Sequence, residues 1–137
     1  MKYDWIKSIP DFIHCFSEDH RLIIDLIGVD NYFRLYAVFG KTGIYFSNFS
    51  MNSDQKAIIG TVGYDNYLKL FDSFGKTGIY FSSSSITALK KAWAIKNRHI
   101  DYNEAARTLE VSTKTIYNWR HEGLDDNYNL FEDDKPK

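Results

Sequence analysis

A 21-residue segment occurs twice in this chain, at an offset of 35 residues. Gly28–Asn48 and Gly63–Ser83 agree at 14 of 21 positions, and both contain Phe-Gly-Lys-Thr-Gly-Ile-Tyr-Phe-Ser without a change. Two copies are too few for a solenoid, which needs three or more repeats to build a continuous core. The repeat therefore predicts two equivalent units that pack against each other.

The shared Gly-Lys-Thr is not the end of a phosphate-binding P-loop. Such a loop requires a glycine five positions before the Gly-Lys pair, so that backbone N–H groups surround the phosphates. Leu35 and Leu70 occupy that position here, and a helical pattern rather than a strand precedes each copy. The motif is thus an architectural feature.

Each copy reads as helix, helix, strand. Apolar residues recur with helical spacing in both, at Tyr32, Leu35, Tyr36 and Phe39, and at Tyr67, Leu70, Phe71 and Phe74. These two stripes predict core positions, whereas an aromatic ligand cage is the less favoured interpretation. Further helices are predicted before them at 18–27 and 53–62. Asp30 and Asp65 are the expected N-caps, and Gly40 and Gly75 the expected left-handed helix ends.

The predicted fold class is mainly α with a short two-stranded antiparallel β-ribbon. The ribbon pairs residues 43–47 with 78–82, because an isolated strand of this length is unstable. A pseudo-two-fold axis is expected to relate the copies, as in a symmetric dimer. Residues 1–17 are expected to form an added helix that is broken near Pro10. Lys41 and Lys76 are expected to be exposed turn residues, with phosphate contact as the less favoured role.

The net charge of −1 conceals three segments of different charge. Residues 84–121 carry 7 Lys and Arg against 3 Asp and Glu, whereas residues 122–137 carry 2 against 6. A basic block followed by an acidic tail suggests an anionic partner. One cysteine and the lack of a signal or membrane-spanning segment predict a cytoplasmic protein. Scattered histidines and carboxylates predict no enzyme, no metal and no cofactor.

The basic block contains a helix followed by the pattern of a helix-turn-helix. Ile86, Leu89 and Trp93, with Ala92 or Lys96, form the apolar stripe of the first helix. The next helix is expected at 102–109, with Ala105 or Ala106 at the close approach. Glu110 occupies the turn position that glycine usually takes. Ser112 or Thr113 is expected to cap the last helix, whose inner face is Ile116 and Trp119, and Gly123 is expected to end it.

The outward face of this last helix is predicted to contact DNA. Thr113, Lys114, Tyr117 and Asn118 are the expected base or phosphate contacts, with His121 on the same face and Arg120 alongside. The remaining basic side chains are expected to hold the phosphate backbone. The predicted DNA-binding residues are Thr113, Lys114, Tyr117, Asn118, Arg120, His121, Lys90, Lys91 and Arg98.

Both copies of the repeat and the helix-turn-helix pattern resemble the Mor transcription activator family. The matching positions are Gly28, Leu35, Phe39, Gly40, Ile44 and Tyr45, their repeats Gly63, Leu70, Phe74, Gly75, Ile79 and Tyr80, and then Glu104, Ala105, Leu109, Ser112, Ile116 and Tyr117. The likeness covers about residues 20–121. It implies a DNA-binding regulator of phage or mobile-element genes, with dimers built from intertwined helix–helix–strand units. This chain departs from the family by carrying that unit twice, and by Ser47 and Ser82 where proline is usual.

Three domains are predicted: a duplicated platform at 1–83, a helix-turn-helix at 84–123 and an acidic tail at 124–137. The duplication leaves a monomer and a homodimer both open. The tail is expected to be solvated, and docking on RNA polymerase is the alternative. The other function left open is a phage-encoded inhibitor that binds a host nucleic-acid enzyme or defence system.

Overall fold

The computed structural model describes the backbone of residues 2–132 and the side chains of residues 2–122. Within that part the protein is mainly helical, with one two-stranded antiparallel sheet, which confirms the predicted fold class. The helices and strands are α1 Glu18–Ile27, α2 Val29–Phe39, β1 Gly43–Ile44, α3 Ser53–Val62, α4 Tyr64–Phe74, β2 Ile79–Tyr80, α5 Ser84–Lys96, α6 Tyr102–Leu109 and α7 Thr113–Glu132. The predicted bounds of α1, α3 and α6 are confirmed.

The described residues divide into two compact units. Residues 13–85 form one unit, and residues 1–12 together with 86–137, as far as they are described, form the other. The predicted break near Pro10 is present, but the flanking segments Asp4–Ser8 and Phe12–Cys15 are 3₁₀ helices rather than one α-helix. Trp5 and Ile9 pack against the core of the unit that contains the helix-turn-helix.

A single glycine separates the two helices of each copy. Gly28 ends α1 and precedes α2 with φ 90° and ψ 158°, and Gly63 does the same between α3 and α4 with φ 93° and ψ 161°. Residues that carry a side chain rarely adopt this backbone conformation, which is essentially restricted to glycine. The predicted N-caps Asp30 and Asp65 are therefore wrong. Both aspartates lie in the first helical turn, where their negative charge interacts favourably with the positive end of the helix dipole.

Gly40 and Gly75 end their helices, but not in the predicted left-handed conformation. Their φ angles are −53° and −59°. A Cβ atom would lie 2.7 Å from the carbonyl oxygen four residues earlier at Gly40, and 2.6 Å at Gly75. Glycine is needed here for close backbone approach, while the left-handed residues are Lys41, with φ 69°, and Gly78, with φ 75°.

The β-ribbon is shorter than predicted but pairs the predicted strands. Gly43 lies opposite Tyr80, and Ile44 lies opposite Ile79. Ile44 and Ile79 are the same position of the two copies, so the ribbon is centred on a pair of equivalent residues. An antiparallel pair of identical strands related by a two-fold axis has this register. The helices also pack across the two copies, since the first helix of each copy contacts the second helix of the other: α1 contacts α4, and α3 contacts α2.

The apolar stripes form the core of residues 13–85, as predicted. Every stripe residue is buried except Phe71, which is half-buried. Lys41 and Lys76 are exposed, as expected for turn lysines. Phe46 and the equivalent residue of the second copy, Phe81, are also buried and pack against stripe rings. These rings cannot be a ligand cage, because they fill the interior between the two copies.

Equivalent positions 20 and 55 join the copies through polar contacts that the sequence pattern does not reveal. Nδ1 of His20 lies 2.8 Å from the Tyr32 hydroxyl, and its Nε2 lies 2.8 Å from the carbonyl oxygen of Tyr80 in the other copy. Gln55, 2% exposed, donates to the equivalent Tyr67 hydroxyl at 2.8 Å. It also exchanges hydrogen bonds with the backbone of Ser47 in the first copy.

The contacts of His20 define its tautomer. A carbonyl oxygen only accepts hydrogen bonds, so Nε2–H donates to Tyr80 and Nδ1 accepts from the Tyr32 hydroxyl. A second proton on the ring would place an N–H against that hydroxyl. Burial lowers the pKa of His20, although the Tyr80 carbonyl and the charge of Asp19 act in the opposite direction. Burial thus favours the neutral ring more strongly in the folded protein than in the unfolded chain.

Because the folded pKa of His20 is lowered, the unfolded chain binds the proton more readily. The contribution of His20 to the free energy of unfolding is fully present above the unfolded pKa of about 6.5. It decreases as the pH falls from there toward the lower pKa of the folded protein. We expect His20→Gln, which copies the residue at position 55, to flatten this pH dependence. Urea unfolding by far-UV circular dichroism at pH 5 and 7.5 measures it. His14→Gln, at an exposed histidine, should retain the wild-type dependence, and a His20→Gln protein that also retained it would refute the assignment.

Candidate nucleic-acid interface

The last two helices are joined by a three-residue turn, and side chains cap both N-termini. Asp101 caps α6 by accepting a hydrogen bond from the Glu104 amide at 2.7 Å. Of the two predicted caps for α7, Ser112 is the one used, and its Oγ accepts from the Thr115 amide at 3.1 Å. The helices pack against each other. This is the helix-turn-helix arrangement predicted from the spacing.

The turn depends on Glu110, which adopts the left-handed conformation expected at this position. Its φ and ψ angles are 57° and 49°. The amide of Val111 then donates to the carbonyl of Ala106 at 3.0 Å, which closes the helix end. The Glu110 carboxylate lies 3.5 Å from Nζ of Lys2, with both side chains about half exposed. An exposed ion pair of this kind contributes little to stability.

Glu110→Gly should stabilise the protein. A side chain in the left-handed region costs about 1–2 kcal/mol, and glycine's extra freedom in the unfolded chain offsets part of that gain. We expect the free energy of unfolding to rise by about 0.5–1 kcal/mol. Urea unfolding followed by tryptophan fluorescence measures the change. Glu110→Gln removes the charge but keeps the left-handed side chain, so a matching gain in this control would contradict the explanation.

The core of this unit is made of small and apolar side chains from α5, α6 and α7. Its buried members are Trp93, Ala94, Ala105, Ala106, Leu109 and Ile116. Val111 and Trp119 are half-buried against it. Both predicted alanines of α6 are buried. On α5, however, Ala94 takes the inward position in place of the predicted Ala92 or Lys96, which are both exposed.

Five of the predicted contact residues lie together on the exposed side of α7, which we name the recognition surface. It consists of Thr113, Lys114, Tyr117, Asn118 and His121, all exposed. The rings of Tyr117 and His121 stack with centroids 5.2 Å apart and an interplanar angle of 21°. Tyr102 of α6 meets Tyr117 edge to face at 6.2 Å. The surface thus offers an ammonium, an amide and a hydroxyl beside a stacked aromatic pair.

Arg120 does not lie beside this surface, and its predicted outward position is wrong. Its side chain is 6% exposed. Nε donates to the carbonyl of Ala94 at 2.9 Å, and Nη2 donates to that of Asn97 at 2.8 Å. The guanidinium also lies 5.4 Å from the centre of the Tyr102 ring. Arg120 therefore ties α7 to the end of α5, which is a structural role.

The three other basic residues predicted to hold phosphate are half-buried. Nζ of Lys91 lies 2.6 Å from a Glu122 carboxylate oxygen. Arg98 donates from Nη1 to the carbonyl of Arg120 at 3.0 Å. Its Nη2 is buried and has no hydrogen-bond partner among the described residues. This nitrogen is the buried side-chain atom without a hydrogen-bond partner in the described part of the chain.

Gly123 does not end the last helix. Helix α7 continues through it to Glu132, whereas the prediction placed the stop at 123. A glycine inside a helix costs about 1 kcal/mol but ends the helix only if the backbone turns out of it. The side chains of the predicted acidic tail, and residues 133–137 altogether, lie outside the described part.

A cleft of about 370 Å³ opens where the turn between α5 and α6 faces α7. We name it the α6 cleft. The basic and aromatic side chains that line it are Arg98, His99, Tyr102, Tyr117, Arg120 and His121. Asp101 also lines it, but one of its carboxylate oxygens caps α6. The cleft adjoins the recognition surface through the two side chains that they share, Tyr117 and His121.

The described side chains include no group of three or more His, Cys, Asp or Glu residues placed to hold a metal ion. No α-helix in the described part combines the length and apolar content that spanning a membrane requires. Comparisons of the chain with protein-family models, with curated proteins and with solved structures find no match.

Proposed function

We propose that this chain is a cytoplasmic, sequence-specific DNA-binding regulator of transcription and not an enzyme. The observation that carries the proposal is the recognition surface on a capped helix after a three-residue turn. In helix-turn-helix proteins, the second helix enters the major groove with its N-terminal residues at the base edges. Thr113 and Lys114 are the first two residues of α7, which supports them as the proposed contacts to base edges.

The chemistry of the recognition surface suits DNA. Lysine donates to guanine or phosphate oxygens, the asparagine amide matches the adenine edge, and threonine can contact either. No residue of the surface is acidic. The nearest carboxylate on the C-terminal side, Glu122, is paired with Lys91. This pairing reduces the repulsion that Glu122 would exert on a phosphate backbone.

The likeness to the Mor family supports phage or mobile-element genes as the targets. The duplicated unit supplies within one chain the exchange of helices and strands that this family makes between subunits. A monomer with one recognition helix is then sufficient, while a homodimer would present two. Docking of the acidic tail on RNA polymerase is the alternative to a solvated tail.

A protein-binding inhibitor is the second candidate, and one observation favours it. Phe49 is 100% exposed, Tyr45, directly after β1, is 70% exposed, and Tyr80 of β2 is 63% exposed. Large exposed apolar side chains mark protein interaction sites more often than chance when they are grouped. This candidate predicts binding to a host protein without any salt-sensitive affinity for duplex DNA.

Selection of bound duplexes from a random DNA library, with the full chain at moderate salt, tests the proposal. An enriched inverted repeat with half-sites about one helical turn apart would indicate a homodimer. A single enriched half-site would indicate a monomer. No enriched sequence, together with no salt-sensitive binding, would overturn the regulator proposal and favour the inhibitor.

Lys114→Ala should weaken binding to the selected duplex without changing stability, because the side chain is exposed. We expect the slope of log affinity against log salt to decrease by about 1 if Lys114 contacts phosphate. If it contacts a base, the preference at one base pair should relax instead. Lys56→Ala, at an exposed lysine of α3, removes the same charge and should change neither quantity. Equal effects in both variants would exclude Lys114 from the contacts.

A further inference from the structure

Among the described side chains, two guanidinium groups and one carboxylate line the α6 cleft. Arg98 and Arg120 both line it, and Arg98 donates to the backbone carbonyl of Arg120 at 3.0 Å. The carboxylate lining the cleft is that of Asp101, which also accepts the capping hydrogen bond of α6. The charge of Arg98 contributes to lowering the pKa of Arg120, after burial as the largest cause. The described groups leave this cleft with an excess of positive charge.

Arg98 also has hydrogen-bonding capacity that the described residues do not use. Its Nη2 is buried and unpaired, while Nη1 of the same group is engaged. A buried donor without an acceptor is costly, and more so when the donor is charged. Arg98 lines the cleft and its side chain as a whole is only half-buried, so use of this nitrogen by a ligand requires the guanidinium to turn toward the cleft. An acceptor bound there would remove the cost.

We propose that the α6 cleft binds one phosphate group, with Arg98 as the principal donor. A guanidinium presents its N–H groups in a planar fork that matches two oxygens of a phosphate. The cleft volume of about 370 Å³ is ample for a phosphate and its attached sugar. Tyr102 and His99 also line the cleft, and their side chains carry further hydrogen-bonding groups.

This phosphate has two possible sources. One is the backbone of duplex DNA, in which case the inference rests on the proposed function and adds a fixed anchor beside the recognition surface. The other is free phosphate or a nucleotide, in which case the site exists whether or not the chain binds DNA. Since Tyr117 and His121 belong to both the cleft and the recognition surface, a free ligand would compete with DNA.

Two measurements on the full chain test the proposal. The first follows the melting temperature as inorganic phosphate replaces chloride at constant ionic strength. A ligand that binds only the folded state raises it. The second measures the salt dependence of affinity for the selected duplex. We expect Arg98→Gln to abolish the rise in melting temperature, to reduce the salt slope by about 1, or to do both, according to the source.

Arg98→Lys keeps the charge but removes the fork, and it guards against a simple folding defect. If Arg98 binds phosphate, Arg98→Lys should retain part of the effect and fold like the wild type by circular dichroism. Lys56→Gln removes one positive charge from the other compact unit and should change neither measurement. Tyr102→Phe removes one hydroxyl of the cleft and should weaken phosphate binding without changing helix content.

The outcomes separate the two sources. A phosphate-dependent rise that Arg98→Gln abolishes, with an unchanged salt slope, assigns the site to a free anion. A reduced slope without that rise assigns it to the DNA backbone. If the wild type binds DNA but neither measurement responds to Arg98, this inference is wrong while the proposed function stands. If the wild type binds no DNA, the proposed function fails and the phosphate measurement alone decides the site.

Discussion

Arg120→Ala is expected to lower the free energy of unfolding by about 3 kcal/mol. The substitution removes the donors to the carbonyls of Ala94 and Asn97, at 2.9 and 2.8 Å, and leaves both without those bonds. It also removes a side chain that is 6% exposed and packs over Tyr102. Because these contacts join α7 to the end of α5, their loss should loosen the base of the recognition surface.

The experiment benefits from the placement of the tryptophans. All three, Trp5, Trp93 and Trp119, lie in the unit formed by residues 1–12 and 86–137. Urea unfolding followed by their fluorescence therefore reports on the unit that contains Arg120. Lys114→Ala, at an exposed residue of the same helix, should leave this transition in place. An Arg120→Ala protein with wild-type stability and lost DNA affinity would reverse the assignment and make Arg120 a contact residue.

Phe81→Ala is expected to lower the free energy of unfolding of residues 13–85 by about 3–5 kcal/mol. Phe81 is 0% exposed and follows β2. Its ring lies 5.2 Å from that of His20 and 6.4 Å from that of Phe39, with which it is stacked. It also approaches Tyr32 and Tyr36, at 5.9 and 6.0 Å. Alanine would leave a cavity among rigid rings that cannot collapse to fill it.

The repeat supplies a matched control for Phe81. Phe46 is the equivalent residue of the first copy, 3% exposed, and it packs against the rings of Tyr67 and Phe71 at 6.4 and 5.7 Å. Phe71 is itself half-buried, so the site can relax toward solvent. We expect Phe46→Ala to lower the free energy of unfolding by less than Phe81→Ala does. Urea unfolding followed by far-UV circular dichroism measures both changes. Equal losses would show that the two copies contribute symmetrically to stability.

Much of the fold follows from local patterns in the sequence. The helical spacing of the two stripes and the 35-residue offset predict α2 and α4, the helices before them and the pairing of β1 with β2. The turn residue Glu110 and the exposure of Lys114 follow from the helix-turn-helix spacing. Helical spacing and turn chemistry act between neighbouring residues, whereas the pairing of β1 with β2 follows from the equivalence of the two copies. The recognition surface was predictable for the same reason.

Other features depend on partners that are distant along the chain. The burial of Arg120 could not be predicted from its position on α7. The carbonyl that accepts the hydrogen bond from its Nε belongs to Ala94, 26 residues earlier. The link between His20 and Tyr80 joins residues 60 positions apart. Gly40 was expected to end α2 through a positive φ angle. The structure instead requires glycine there because a Cβ atom would lie too close to the carbonyl oxygen of Tyr36.

The sequence by itself thus determined two equivalent helix–helix–strand units and a helix with a polar outer face, since periodicity and turn chemistry act over short range. Only the tertiary structure decided which cations face solvent and which polar groups join the copies. A buried hydrogen bond forms where packing brings a donor to an unpaired acceptor. That encounter depends on the folded backbone rather than on the residues nearby in the chain.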